Sequence, residues 1–163
     1  MAVLPVLKYP HEILKKPAKP VSAITEVERK LVSDMIETMY AENGVGLAAN
    51  QVGILKQIFV ASVDQVRGQE MVFFNPTLIK KEGVIREFEG CLSVPEFYEP
   101  VKRAKKVRMR AMTLDGRTVE VAGEGLLSRI FQHEIDHLNG ILFVDRLGIL
   151  KSTRIKKKLS TRA

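Results

Sequence analysis

The chain has 163 residues, 45% of them hydrophobic, which is enough for one ordinary core, and no Pro/Gly/Ser-rich linker divides it. No apolar run approaches the length that spans a bilayer, the N-terminus lacks both the apolar stretch of a signal peptide and the Arg/Ser-rich character of a transit peptide, and a single cysteine excludes an internal disulfide. The expectation is one domain over residues 1–163 in a reducing compartment, with a net charge of +7 that is unevenly spread.

In chain order, the first segment is Pro-rich and carries His11, one of only three histidines. Thr25-x-x-Glu28 reads as a capping box that opens a helix with an apolar stripe at Val27, Leu31, Met35 and Met39, closed by Asn43-Gly44. The segment Gly44-Val45-Gly46-Leu47-Ala48-Ala49-Asn50-Gln51 then begins at a helix C-terminus. It lacks the third glycine and preceding strand of a dinucleotide fingerprint, so on its own it reads as a packing turn with close backbone approach.

Gln57 to Val63, Glu70 to Phe74 and Val84 to Glu89 have strand character. Cys91 follows in Glu-Phe-Glu-Gly-Cys-Leu-Ser-Val-Pro, residues 87 to 95, where Gly90 permits close approach and Pro95 is expected to end the strand. A lone cysteine is most often a small buried hydrophobe. Val107, Met109 and Ala111 alternate with Arg108, Arg110 and Met112 before an Asp115-Gly116 turn, and Thr118 to Val121 returns, which reads as a hairpin with one wet face.

Residues 132 to 140 contain His133-Glu134-x-x-His137. On an α-helix the two imidazoles stand one turn apart on one face and converge on a common point, with Glu134 beside them. Leu126 and Ile130 continue the histidine stripe, while Leu127, Phe131, Ile135 and Leu138 form a second apolar stripe, so the helix is expected to be buried. Two buried histidines and a glutamate without partners would cost several kcal/mol. A cation satisfies them, and catalytic zinc-type sites take three protein ligands and leave a fourth position for water. The spacing does not supply the third ligand. Asp136 points away from the two histidines, toward a base such as Arg103 or toward a surface ion pair, and is not read as catalytic.

An apolar run at Ile141 to Val144 follows, and then a basic tail from about 148 to 163. Residues 151 to 163 hold Lys151, Arg154, Lys156, Lys157, Lys158 and Arg162 and no acid, leaving 20 basic against 19 acidic residues elsewhere. Such a run is either a solvated helix end or arm, or a docking surface for an anionic partner. Strands and helices that segregate along the chain indicate an α+β fold of mostly antiparallel strands around the buried helix, with a basic C-terminal helix.

Gly-x-Gly-Leu-Ala-Ala-x-Gln at 44 to 51, Glu-Gly-Cys-Leu-Ser at 89 to 93 and Gln-His-Glu-x-x-His at 132 to 137 together resemble the three signature motifs of peptide deformylases, in order and separation. The similarity runs from the Leu-Lys-Tyr-Pro region near the N-terminus to the basic tail. The resemblance implies that Cys91, His133 and His137 bind one divalent metal ion and that Glu134 is the general acid/base. It also implies that Gln51 and the backbone N–H of Leu92 receive the formyl oxygen, and that Val45, Gly46 and Gly90 line the substrate. Leu126 and Ile130 are then the walls of a methionine pocket. A thiolate and two imidazoles suit iron(II), zinc, nickel or cobalt; the family points to iron(II). The implied partners are N-formyl-methionyl nascent peptides in a bacterial cytoplasm, with ribosome contact through the basic tail, no membrane and no sequence-specific nucleic acid. One departure stands out: seven positions after Cys91, where many family members carry a basic residue, this chain has Tyr98 beside Phe97, which implies a more aromatic substrate rim. Two rival readings remain at this stage, a small zinc metalloprotease and a non-catalytic basic protein braced by its metal.

Overall fold

In the computed structural model, which describes residues 1–162, the capping box forms as read. Helix α1 spans Glu26–Ala41; the Thr25 hydroxyl accepts from the Val27 N–H and the Glu28 carboxylate accepts from the Thr25 N–H at 2.9 Å. Its buried face differs from the expected stripe. Val32, Met35 and Met39 are buried together with Glu28, whereas Val27 is exposed. Residues 27, 31, 35 and 39 repeat every four and drift around a 3.6-residue helix, and the stripe that stays on the core is 28, 32, 35, 39. Glu28 tolerates this position because Thr25 and Lys56 satisfy its carboxylate, with Lys56 Nζ at 2.5 Å.

Seven strands form, the five expected ones and two that were not, β1 and β5: β1 (Gly46–Ala48), β2 (Ile58–Ala61), β3 (Met71–Glu82), β4 (Ile85–Cys91), β5 (Val94–Arg103), β6 (Lys106–Met112) and β7 (Thr118–Glu124). Five of them form an antiparallel sheet in the order β1-β2-β3-β6-β7, and β4 and β5 form a separate two-stranded ribbon. The hairpin β6–β7 has the expected wet face, with Val107, Met109 and Ala111 buried and Arg108 and Arg110 exposed. Pro95 does not end the strand region. Between the pairs Cys91↔Val94 and Glu89↔Glu99, β5 carries the extra residues of a bulge, and a proline is tolerated there because the missing N–H falls outside the ladder.

At β2 the sheet is covered on both faces. In β2 every residue is buried: Phe59 and Ala61 face helix α2 (Leu126–Leu138), and Ile58 and Val60 face α1. Phe59, Phe73 and Phe131 meet at centroid distances of 5.4 to 6.1 Å, two of the three contacts edge-on, and fix α2 against the sheet. A third cluster joins the ribbon to the C-terminal region. Leu142, Phe143 and Val144, which lead into a short 3-10 helix at Phe143–Arg146, pack with Val94 and Val101 and with Ile155 and Leu159 of helix α3 (Ile149–Arg162). The basic tail is therefore a docked amphipathic helix and not a loose arm. Lys151, Lys156 and Arg162 pair with Glu99, Asp145 and Glu96, while Arg154, Lys157 and Lys158 are exposed and have no ionic partner among the described residues. Ala163, included in the tail as read from the sequence, lies outside the described residues. No helix among the described residues is long and apolar enough to cross a membrane.

Candidate active site

Two segments distant in the chain meet on one face of α2. Cys91 is the last residue of β4, and His133 and His137 project from successive turns of α2. The Cys91 sulfur lies 3.3 Å from His137 Nε2, and the two Nε2 atoms are 3.1 Å apart; all three candidate ligand atoms fall within 4.8 Å of one another. The third histidine, His11, is elsewhere, accepting from the Ile13 N–H at the start of a 3-10 helix.

The ring of His133 is oriented from behind. Its Nδ1 is 3.0 Å from Glu89 Oε1. Facing a carboxylate, Nδ1 carries the proton and Nε2 presents its lone pair to the cluster. Glu89 is in turn held by two hydrogen bonds from Arg103, at 2.8 and 2.9 Å, and all three side chains are largely buried. Burial alone would raise the Glu89 carboxyl, but the Arg103 and His133 hydrogen bonds overcome it and bring the carboxyl down to about 2. Burial opposes charge on both histidines; Cys91 and Glu89 nevertheless draw His133 well above its ordinary range, while burial compounded by the neighbouring His133 and Arg103 charges pushes His137 well below. Two nitrogens so close hold at most one proton between them. A soft thiolate and two convergent imidazole lone pairs are a donor set that fits a divalent transition-metal ion.

Glu134 sits beside this cluster, 3% exposed, and burial pushes its carboxyl up to about 7. Its Oε1 has no hydrogen-bond partner within the chain, an unusual position for a buried carboxylate. Gly46 is part of the reason it fits: a Cβ there would stand 2.6 Å from Glu134 Oε2. Gln51 comes from the 3-10 helix Ala49–Val52. The Ala48 N–H anchors its Oε1 at 3.0 Å, which turns its amide N–H groups toward Ser93 Oγ at 3.2 Å and the Cys91 sulfur at 3.6 Å. Leu92 occupies the turn between β4 and β5, its carbonyl bonded by Lys8 Nζ at 2.8 Å.

These groups open into a cleft of about 330 Å³. One wall is the loop Asn43–Val45 and β1, the other is Phe88, Gly90, Leu92 and Tyr98 of the ribbon, and the floor is α2 with Leu126, Arg129 and Ile130. Strand β1 is an edge strand. Its register pairs Leu47 with Val60, and the Val45 carbonyl accepts from the Ser62 N–H at 2.8 Å, so the backbone groups of Gly46 alternate to the open side, toward the cleft. All the site residues named from the sequence thus line one cleft or its metal cluster. Ile130 is buried, but Leu126 is 42% exposed at the mouth, so the histidine stripe is not covered along its whole length. Tyr98 lies on the rim as expected, its ring packed so tightly on Gly90 that a Cβ there would come within 2.4 Å. Phe97 does not join it. It packs into the cluster under α3, with the Arg162 guanidinium 5.3 Å above its ring, and Phe88 is the second exposed aromatic of the rim instead.

Asp136 does bond Arg103, at 2.6 Å, and also Arg146; the pair is buried and not the surface ion pair that was its alternative. Sequence reasoning missed Glu89 as the partner of His133. A signal for it exists: with a strand period of two, Glu89 and Cys91 point to the same face of β4.

Residues 3–153 match the family model for polypeptide deformylase. Peptide deformylase 1 of Pseudomonas syringae pv. tomato is 49% identical over 160 residues, covering 98% of this chain and 95% of that protein. A solved peptide deformylase from Legionella pneumophila superposes with a TM-score of 0.94 at 42% identity, covering 99% of this chain and 95% of that one. One from Synechococcus elongatus, in complex with actinonin, gives 0.90 at 38% identity, covering 95% of this chain and 86% of that one. The same antiparallel α+β architecture and the likeness over nearly its whole length show that the chain belongs to the peptide deformylase family, metal-dependent hydrolases that remove the N-formyl group from newly made polypeptides and release formate.

Proposed function

We propose that Cys91, His133 and His137 hold one divalent ion, iron(II) in the native protein and replaceable by zinc, nickel or cobalt, and that Glu134 is the acid/base of formyl-methionine removal. The observation that carries this reading is the convergence of one sulfur and two Nε2 atoms within 4.8 Å, with the His133 tautomer set by Glu89. When bound, such an ion polarises the formyl carbonyl and makes a water acidic near neutral pH. Glu134 takes the proton of the attacking water, for which its partnerless Oε1 and a carboxyl raised toward 7 are suited. The Gln51 amide and the Leu92 N–H donate to the oxygen that becomes negative as the formyl carbon turns tetrahedral. Glu134 then delivers the proton to the departing amine, and formate and a free N-terminus leave.

The peptide adds as a strand alongside Gly46, so that main-chain bonds give affinity and a pocket reads the side chain. Leu126 and Ile130, apolar and one turn apart on the cleft floor, take the methionine, with Gly90, covered by the Tyr98 ring, on the opposite wall. Tyr98 and Phe88 border the residues that follow. The exposed basic face of α3 supports contact with the ribosome, and a single cysteine outside any disulfide fits a bacterial cytoplasm. Metal analysis of protein purified without oxygen, run beside formate release from a formyl-Met peptide, tests the reading. About one equivalent of iron with rapid turnover is expected, and loss of iron in air as the thiolate oxidises. Full turnover in metal-free protein would refute it.

A further inference from the structure

Arg146 takes no part in the chemistry above, yet an unbroken line of charge-assisted hydrogen bonds joins it to the metal cluster. From the 3-10 helix after α2 it sends Nε and Nη2 to the carboxylate of Asp136, at 3.1 and 2.7 Å. Asp136 also receives Arg103 Nη1 at 2.6 Å, Arg103 grips Glu89 with its other two nitrogens at 2.8 and 2.9 Å, and Glu89 Oε1 meets His133 Nδ1 at 3.0 Å. We propose that Arg146 is a positioning residue for the metal site, acting through Asp136, Arg103 and Glu89 to hold the His133 ring in its ligating orientation.

Charge and geometry give the reason. Glu89 and Asp136 bring two negative charges into a nearly closed space, and Arg103 brings one positive charge. Without a second cation Asp136 competes with Glu89 for the single guanidinium, and any turn of Arg103 toward Asp136 loosens its fork on Glu89. Arg146, whose side chain is 45% exposed, adds that cation from the solvent side, where desolvation is small. It occupies Asp136 through two bonds and leaves Arg103 with two of its three bonds on Glu89. A firmly held carboxylate fixes the tautomer of a ligating histidine and strengthens it as a donor, and loss of such an outer partner typically weakens metal binding by about 10- to 100-fold.

The inference rests on the reading of Cys91, His133 and His137 as ligands, and the test separates the two. The cobalt(II) dissociation constant of the full chain is measured by chelator competition, beside thermal unfolding of the metal-free form, in wild type, Arg146→Ala, Arg146→Lys, Glu89→Gln and the Glu89→Gln/Arg146→Ala double variant. Arg146→Ala is expected to weaken cobalt binding roughly tenfold. Arg146→Lys, which keeps the charge and loses the fork, should recover part of that, and Arg146→Ala should weaken binding no further once Glu89→Gln has cut the line. A role confined to clamping the start of α3 would lower the melting temperature and leave the dissociation constant unchanged, which overturns the proposal. So would an undiminished Arg146→Ala effect in the Glu89→Gln background. A wild type that binds no divalent ion would remove the ligand assignment and this inference with it.

Discussion

Gly46 and Glu134 are packed against each other with no room for a side chain at position 46. Because a Cβ at position 46 would meet the Glu134 carboxylate at 2.6 Å, Gly46→Ala displaces the proposed base without touching a metal ligand. The expected result is a fall in kcat of roughly a hundredfold with metal content unchanged, since about 1 Å of misplacement in a reacting group has that effect; steady-state kinetics beside metal stoichiometry would show it. Turnover equal to that of the native chain would mean that Glu134 need not sit where it does. At this scale the sequence is most informative where chemistry constrains spacing. His133, Glu134 and His137 follow from helical geometry, whereas Cys91 as their companion came from likeness to a family and not from any local pattern. The support behind them is less legible. Glu89 has a two-residue strand relation to Cys91, and Arg103 was expected as a partner of Asp136, but nothing local showed that Arg103 also holds Glu89 or that Arg146 shares Asp136.

Elements with a strong local signature read correctly, and those shaped by tertiary partners did not. The α1 start was legible because a capping box satisfies helix N–H groups using neighbouring residues only. Its buried face was misread because a charged residue, Glu28, faces inward under the hold of Lys56, a partner 28 positions away. Thr25→Ala should therefore destabilise the chain by about 1 kcal/mol, the usual worth of such a cap, with the activity of folded molecules unchanged; urea unfolding beside formate release checks this. The ribbon shows the opposite case. Val94–Arg103 contains two prolines and several charges, and it is a strand only because β4 pairs with it and a bulge absorbs Pro95.

The whole molecule places its two specialised surfaces on elements tied to one another. The cleft opens between edge strand β1 and the ribbon, and the ribbon also packs on α3 through Val94, Val101, Ile155 and Leu159. The α+β class was legible from the order of segments, and the burial of β2 on both of its faces was not, since four residues are too few to reveal which of them face which helix. The charge asymmetry was legible, and the structure sorts it: half the tail cations are paired within the chain, and Arg154, Lys157 and Lys158 remain exposed, where an anionic partner such as the ribosome is proposed to meet them. If that partner is the ribosome, co-sedimentation at low salt should weaken several-fold as salt rises toward 200 mM and be lost in an Arg154→Glu/Lys157→Glu/Lys158→Glu variant. Sedimentation indifferent to both changes would assign these residues to solubility alone.

A carboxylate, buried and without a partner beside a Cys-His-His cluster, is proposed to move the proton in formyl-group hydrolysis. Glu134→Ala tests it most directly, with bound metal and formate release measured on the same sample. The expected result is an intact fold with its metal retained and formate release reduced by at least about a hundredfold. Unchanged turnover in the metal-loaded variant would contradict it.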